Sequence, residues 1–170
     1  MAFFDFIKTA GEKLFPSKDN EAAAAAVASK PDDTEAKAKA EALNRAAGDA
    51  IEAYVKSQNL AATGLTVTFD GGTGVATAFG VAADQAAKEK ILLCCGNVSG
   101  VAKVDDKMSV EVAQPEASFH TVVSGDNLSK IAKQVYGDAN KYPVIFEANK
   151  PMLKHPDKIY PGQVLRIPPV

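Results

Sequence analysis

FHTVVSGDNLSKIAKQVYGDANKYPVIFEANKPMLKHPDKIYPGQVLRIP, residues 119–168, spells out a complete small module at the end of the chain. A short strand pattern opens it and leads into Ser124-Gly125-Asp126-Asn127-Leu128. Leu128, Ile131, Ala132 and Val135 then recur at helical spacing, which predicts one apolar face turned to a core. Asp126 stands where a side chain caps a first helical turn. The segment closes on Tyr160-Pro161-Gly162-Gln163 and the apolar run Val164-Leu165-Arg166-Ile167. The order predicted is strand, helix, helix, strand.

Gln114-Pro115-Glu116-Ala117-Ser118 is a short polar linker on its N-terminal side. Before it, residues 43–113 carry a second pattern. Leu43, Ala47, Ile51, Tyr54 and Val55 mark an amphipathic helix to about Gln58. Leu65, Val67 and Phe69 alternate, as do Val75, Thr77, Phe79 and Val81. Asp70-Gly71-Gly72-Thr73-Gly74 between them reads as a hairpin turn in which glycine supplies positive φ. Ala83, Ala87, Ile91 and Cys94 or Cys95 mark a further helix, with Asp84 at its dipole-favoured start and Gly96 as its expected C-cap. Val101 to Val112 reads as a strand. The order is helix, strand, strand, helix, strand.

Residues 17–42 are Ala, Glu and Lys with almost no large apolar side chain, a solvated spacer or long helix broken at Pro31. Asp32 or Asp33 is suited to cap a helix starting near Thr34. Residues 3–15 carry apolar side chains at helical spacing up to Pro16, which predicts an N-terminal helix, 1–16, docked on the neighbouring domain. The alternative, a membrane-surface helix, would want a polar face rich in Lys and Arg, and this one is not.

Composition narrows the function. The chain has 170 residues, 46% apolar and 24% charged, with net charge −2. The basic residues are scattered, which argues against a nucleic-acid partner. No run approaches the ~20 apolar residues of a membrane span. Asp5 and Lys8 interrupt the N-terminal apolar run where an export leader would be continuous, so a cytoplasmic location is expected. Cys94 and Cys95 are the only cysteines. Sequence neighbours pair poorly, and two thiols alone make a poor metal site; the expectation is one packed in a helix face and one at its edge. His120 and His155 lack a nucleophile or metal-ligand setting, and an enzyme is not expected. Gly71-Gly72-Thr73-Gly74 lacks the Lys-Ser/Thr and helix of a phosphate loop.

In the order of its turn, helices and PGQ ending, the 119–168 segment resembles a LysM domain. The Asp-Gly hairpin followed by KEKILLCCGNVSGVAKVDDKM makes 43–113 resemble a BON domain. The fold class expected is therefore α+β, with a BON-like αββαβ domain, a LysM-like βααβ domain and an N-terminal helix. The pair, together with FIKTAGEKL at residues 6–14 and the Gly96–Val101 loop, is similar to a family of small cytoplasmic potassium-binding proteins of bacteria. The Ala-rich insert at about 21–40 departs from that family.

The resemblance implies a K+ ion as ligand and a sensing role coupled to domain ordering. Potassium suits neutral carbonyl oxygens, whereas clustered carboxylates suit smaller divalent ions. The expected ligands are the main-chain oxygens of Ile7, Ala10, Glu12, Gly96, Val98 and Val101. The LysM resemblance implies a second reading, a groove for peptidoglycan or another N-acetylated glycan at Gly125, Asp126, Asn127, Leu128, Ile159, Tyr160 and Pro161. Asn127 departs from the family's usual Thr there. A third reading is an adaptor whose BON-like face meets phospholipid or a protein partner.

Overall fold

The computed structural model describes residues 2–6 and 10–170. Two α+β domains follow one another. In the first, strands β1 (Ala2–Asp5), β2 (Thr63–Asp70), β3 (Val75–Asp84) and β4 (Lys103–Val112) form one sheet in the order β1-β4-β3-β2. β2 and β3 are the expected antiparallel hairpin. Its turn is closed by the Asp70 side chain, which accepts from the Gly72 N–H (2.9 Å) and the Thr73 hydroxyl (2.7 Å). β3 and β4 are parallel, with Val75 opposite Lys103. Parallel neighbours need a crossover, and helix α3 (Gln85–Gly96) provides it.

α2 (Thr34–Ser57) and α3 cover one face of the sheet. Ile51, Val55, Ile91, Leu92, Val67, Phe69 and Val104 form the core between them. Ala76, Ala78 and Ala82 on β3 are fully buried. Small side chains there let the helices come close. Asp84 caps α3 through the Ala87 N–H (2.7 Å), and Asp33 caps α2 through the N–H groups of Glu35 and Ala36. The Asp33 cap agrees with the sequence reading, and Asp84 stands at the helix start expected of it.

Several expectations are corrected. Of the two readings of residues 17–42, the helical one broken at Pro31 is the one seen and the solvated spacer is not: α1 spans Ser17–Ser29, and α2 is one continuous 24-residue helix from Thr34. Asn20 of α1 is buried and donates to Asn44 (3.2 Å), which accepts from the Gly71 N–H (3.0 Å). That amide relay ties α1, α2 and the hairpin turn together, a tertiary link that composition does not register. Nor do the described residues of 3–15 form the expected helix. Ala2–Asp5 pairs antiparallel with Lys103–Asp106, and the Phe6 N–H continues the ladder to Ala102 (2.8 Å). The unpaired edge of β4 outcompetes local helical spacing, because a strand there satisfies main-chain groups on both strands. Cys94 and Cys95 are both fully buried, where one had been expected at an edge. Burial pushes the Cys95 thiol up to about 12 and raises that of Cys94 as well, so both behave as small core hydrophobes.

The second domain pairs β5 (Ser118–Thr121) with β6 (Val164–Ile167) and packs α4 (Leu128–Tyr136) and α5 (Tyr142–Ala148) against the ribbon. Leu128, Ile131, Ala132, Ile145 and Leu165 form its core. Val135, expected in that core, is 40% exposed because it turns to the outer side of the short helix. The cap of α4 is Asn127, whose side chain accepts from the Lys130 N–H (2.8 Å), and not Asp126.

Candidate functional site

α3 ends at Gly96, and the Asn97 N–H takes the Leu93 carbonyl (2.9 Å). The last carbonyls of a helix lack intrahelical donors, so the chain leaves α3 with main-chain oxygens to satisfy. Gly96 is the final helical residue and not the C-cap expected of it; Asn97 holds the cap position at φ −82. Glycine is needed at 96 for another reason. A Cβ there would overlap the Phe6 ring.

The N-terminal segment lies against this loop. The Glu12 N–H donates to the Asn97 carbonyl (2.9 Å), and the Ser99 N–H donates to the Glu12 carbonyl (2.8 Å). Glu12 and Val98 thereby form a one-residue parallel bridge. Gly11 permits the approach: its φ is +104, and a Cβ would collide with the Asn97 carbonyl. The Val101 N–H closes the loop on the Val98 carbonyl (3.1 Å), and Val98 and Val101 are fully buried. Of the expected ion ligands, Glu12, Gly96, Val98 and Val101 are thus assembled around one loop, with Ala10 two residues from Glu12. Ile7 lies outside the described residues. Each carbonyl oxygen has two lone pairs, so those of Glu12 and Val98 retain acceptor capacity after their hydrogen bonds. Among the described residues no group of three or more His, Cys, Asp or Glu could hold a metal ion. The main-chain oxygens gathered at this loop are neutral.

The loop also touches the second domain. Val164 and Arg166 direct their main-chain groups away from β5, as alternation along a paired strand requires. Two asparagines take them. Asn97 donates from Nδ2 to the Val164 carbonyl and accepts at Oδ1 from the Val164 N–H, both at 3.0 Å. Asn149 does the same for Arg166 at 2.8 Å. Beside them Glu89, 2% exposed, accepts from Arg166 Nε (2.6 Å), the Ala117 N–H (2.9 Å) and Gln85 (2.9 Å). One buried carboxylate thereby joins α3, the linker and β6. Sequence reading missed Asn97, Glu89 and Arg166. Asn between glycine and valine reads as a turn residue, and a Glu in a helix reads as solvent-exposed until its partner is known.

A cavity of about 330 Å³ lies between the domains, lined by Glu12, Tyr54, Asn97, Lys154, Lys158 and Tyr160 among others. Burial raises both phenols, and the Glu12 carboxylate adds to the shift in each. They remain neutral donors.

The alternative glycan set is dispersed in role. Its two loops leave the same end of the β5–β6 ribbon, where the Val122 N–H bonds Gln163 and the Gly162 N–H bonds Val122, both at 2.8 Å. Leu128 is buried in the core, Asn127 caps α4, and Ile159 packs on that core. Tyr160 turns into the cavity between the domains. Gly125 accepts from Lys130 Nζ (2.8 Å), and Pro161 is exposed. Asp126 holds the first loop closed through His120 Nε2 (2.9 Å) and the Val123 N–H (3.0 Å). His120 first, then the Val123 N–H, keep the Asp126 carboxyl below its usual value. Such a depressed carboxyl contributes stability above the unfolded value, ~3.9, and loses it as pH falls through the folded one. Acid titration is expected to destabilise the natural protein below about pH 4 more steeply than an Asp126→Asn variant. Equal acid sensitivity, followed by circular dichroism, would remove this role.

Comparison with known proteins adds to this geometry. The BON domain family model matches residues 32–112, and the LysM domain family model matches residues 120–168. Over 99% of this chain and 99% of the relative, 46% of residues are identical to the Potassium binding protein Kbp of Escherichia coli O6:H1. The chain belongs to the Kbp family. Shorter matches accompany it. An uncharacterized protein of Deinococcus radiodurans is 51% identical over 30% of this chain and 19% of its own length. Esterase Rv1288 of Mycobacterium tuberculosis is 40% identical over 41% of this chain, but over only 15% of the esterase. The whole-length relative is named for potassium binding, whereas the esterase match covers a small part of a much longer protein. Among its described residues no helix is long and apolar enough to cross a membrane.

Proposed function

We propose that this Kbp-family chain binds potassium at the main-chain oxygens of Ile7, Ala10, Glu12, Gly96, Val98 and Val101, and reports the ion by ordering its domains. The observation that carries the reading is the Glu12–Val98 bridge, which lays the N-terminal segment against the open carbonyl end of α3. Family membership supplies the ion, since the whole-length relative is named for potassium binding. Neutral oxygens at a buried loop fit a large, weakly hydrated monovalent cation better than a divalent one. Two buried, unpaired thiols fit the reducing cytoplasm in which such a sensor would work.

Titration calorimetry with KCl, NaCl and CaCl₂ is the direct test. A saturable heat with potassium alone is expected, and equal heats with all three salts would sink the reading. Saturation to ~100 times Kd should also stabilise the fold by about 2.7 kcal/mol, through binding to the ordered state only. The LysM match favours glycan binding as a second reading. Retention on insoluble peptidoglycan, independent of potassium, would select it.

A further inference from the structure

Asn97 lies inside the proposed ion loop, yet its side chain is spent outside it. Its amide lies along the outer edge of β6 and makes both hydrogen bonds that a neighbouring strand would make to Val164. Its main-chain carbonyl meanwhile accepts from Glu12, and its N–H is held by Leu93. Three of the residue's attachments are therefore to three different elements: the N-terminal segment, α3 and β6. A peptide unit held at so many points has little freedom to rotate, and the carbonyls of its neighbours, Gly96 and Val98, turn with it.

We infer that Asn97 is a positioning residue for the ion, whose side-chain amide stands in for a strand and fixes the direction of the loop carbonyls against β6. The inference rests on the potassium reading above and adds that part of the ion site's geometry is set by the second domain. Selectivity is where this matters. A site of neutral oxygens separates potassium from sodium by the number and arrangement of its carbonyls, so a loop released from β6 should adapt to the smaller ion. Coupling between the two contacts is also reciprocal. The ion should slow exchange of the Val164 amide, although Val164 would touch no ion.

The test uses the full chain and two variants that break the same link from opposite sides. Asn97→Ala removes the amide from the loop. Val164→Pro removes the N–H that Asn97 receives and leaves the loop sequence intact; proline is tolerated on an edge whose N–H is not in the ladder. KCl and NaCl are titrated into each, with folding checked by circular dichroism and Val164 exchange followed by NMR in the natural protein. Each variant is expected to weaken potassium about tenfold and to narrow its preference over sodium. The double variant is expected to be no worse than the weaker single one, as two halves of one interaction should be. Folded variants with potassium affinity and selectivity within twofold of the natural protein would overturn the inference. So would a lowered melting temperature with unchanged selectivity, the mark of a merely structural contact. If Asn97→Ala does not fold, Val164→Pro carries the test alone. A natural protein that shows no potassium-selective heat would overturn the site reading itself, an outcome separate from any variant's behaviour.

Discussion

Gly11→Ala is expected to cost about 3 kcal/mol of stability in potassium buffer and to weaken potassium binding by more than a hundredfold. Two penalties coincide at this position. A non-glycine residue at φ +104 stores strain of ~1–3 kcal/mol. The new Cβ would also strike main-chain atoms, the Asn97 carbonyl first and then the Val98 nitrogen at 3.0 Å. Main chain in a buried loop cannot swing aside as a flexible side chain can. The segment carrying Ala10 and Glu12 must therefore lift from the loop, and the Ser99 N–H loses its acceptor. Gly96→Ala should be milder, because the obstacle there is the ring of Phe6. Hydrogen exchange gives the check. The Ser99 amide should lose protection in Gly11→Ala while the amides of β3 keep theirs. Unchanged protection at Ser99 would show that the bridge does not depend on glycine.

Arg166→Met is expected to destabilise the protein by about 3–5 kcal/mol, the range for removing one partner of a buried ion pair. Arg166 and Glu89 have side chains only 9% and 2% exposed, so solvent screens neither. Without the guanidinium, Glu89 stays buried with only Gln85 and the Ala117 N–H to satisfy it. Adding Glu89→Met to Arg166→Met should return much of the loss, because no isolated charge then remains. Urea unfolding of the single and double variants measures this directly. A single variant within about 1 kcal/mol of the natural protein, the worth of a solvent-exposed pair, would mean that the domains are held by other contacts. The Met152 side chain, which packs against the first domain's core, and the Asn97–Val164 pair are two such contacts.

The elements differ in how far the chain announces them. The second domain was legible nearly throughout, because its determinants are local. Leu128, Ile131 and Ala132 repeat at helical spacing and are buried as that spacing requires. Gly137 ends α4 at φ +74, a conformation glycine adopts without strain. Asp33 and Asp84 cap helices within three residues of themselves. The β2–β3 hairpin follows from alternation and from Asp70-Gly71-Gly72. Errors arose wherever a distant partner overrode a local pattern. Residues 3–15 have helical spacing, but the edge of β4 drew Ala2–Asp5 into a strand. Asn20 sits in an alanine-rich run that looked solvated, and Asn44 buries it.

By itself, the sequence determined the two α+β modules, their order and the glycine-bounded loop from Gly96 to Val101, because turns, caps and periodicity act over a few residues. Only the tertiary structure decided what that loop meets. It brought Glu12 beside Val98, set Asn97 along β6, and paired Glu89 with Arg166 across 77 positions of chain. The physical reason is that hydrogen bonds to main-chain atoms leave almost no mark on side-chain identity. A carbonyl is present at every residue, and folding alone selects which of them converge.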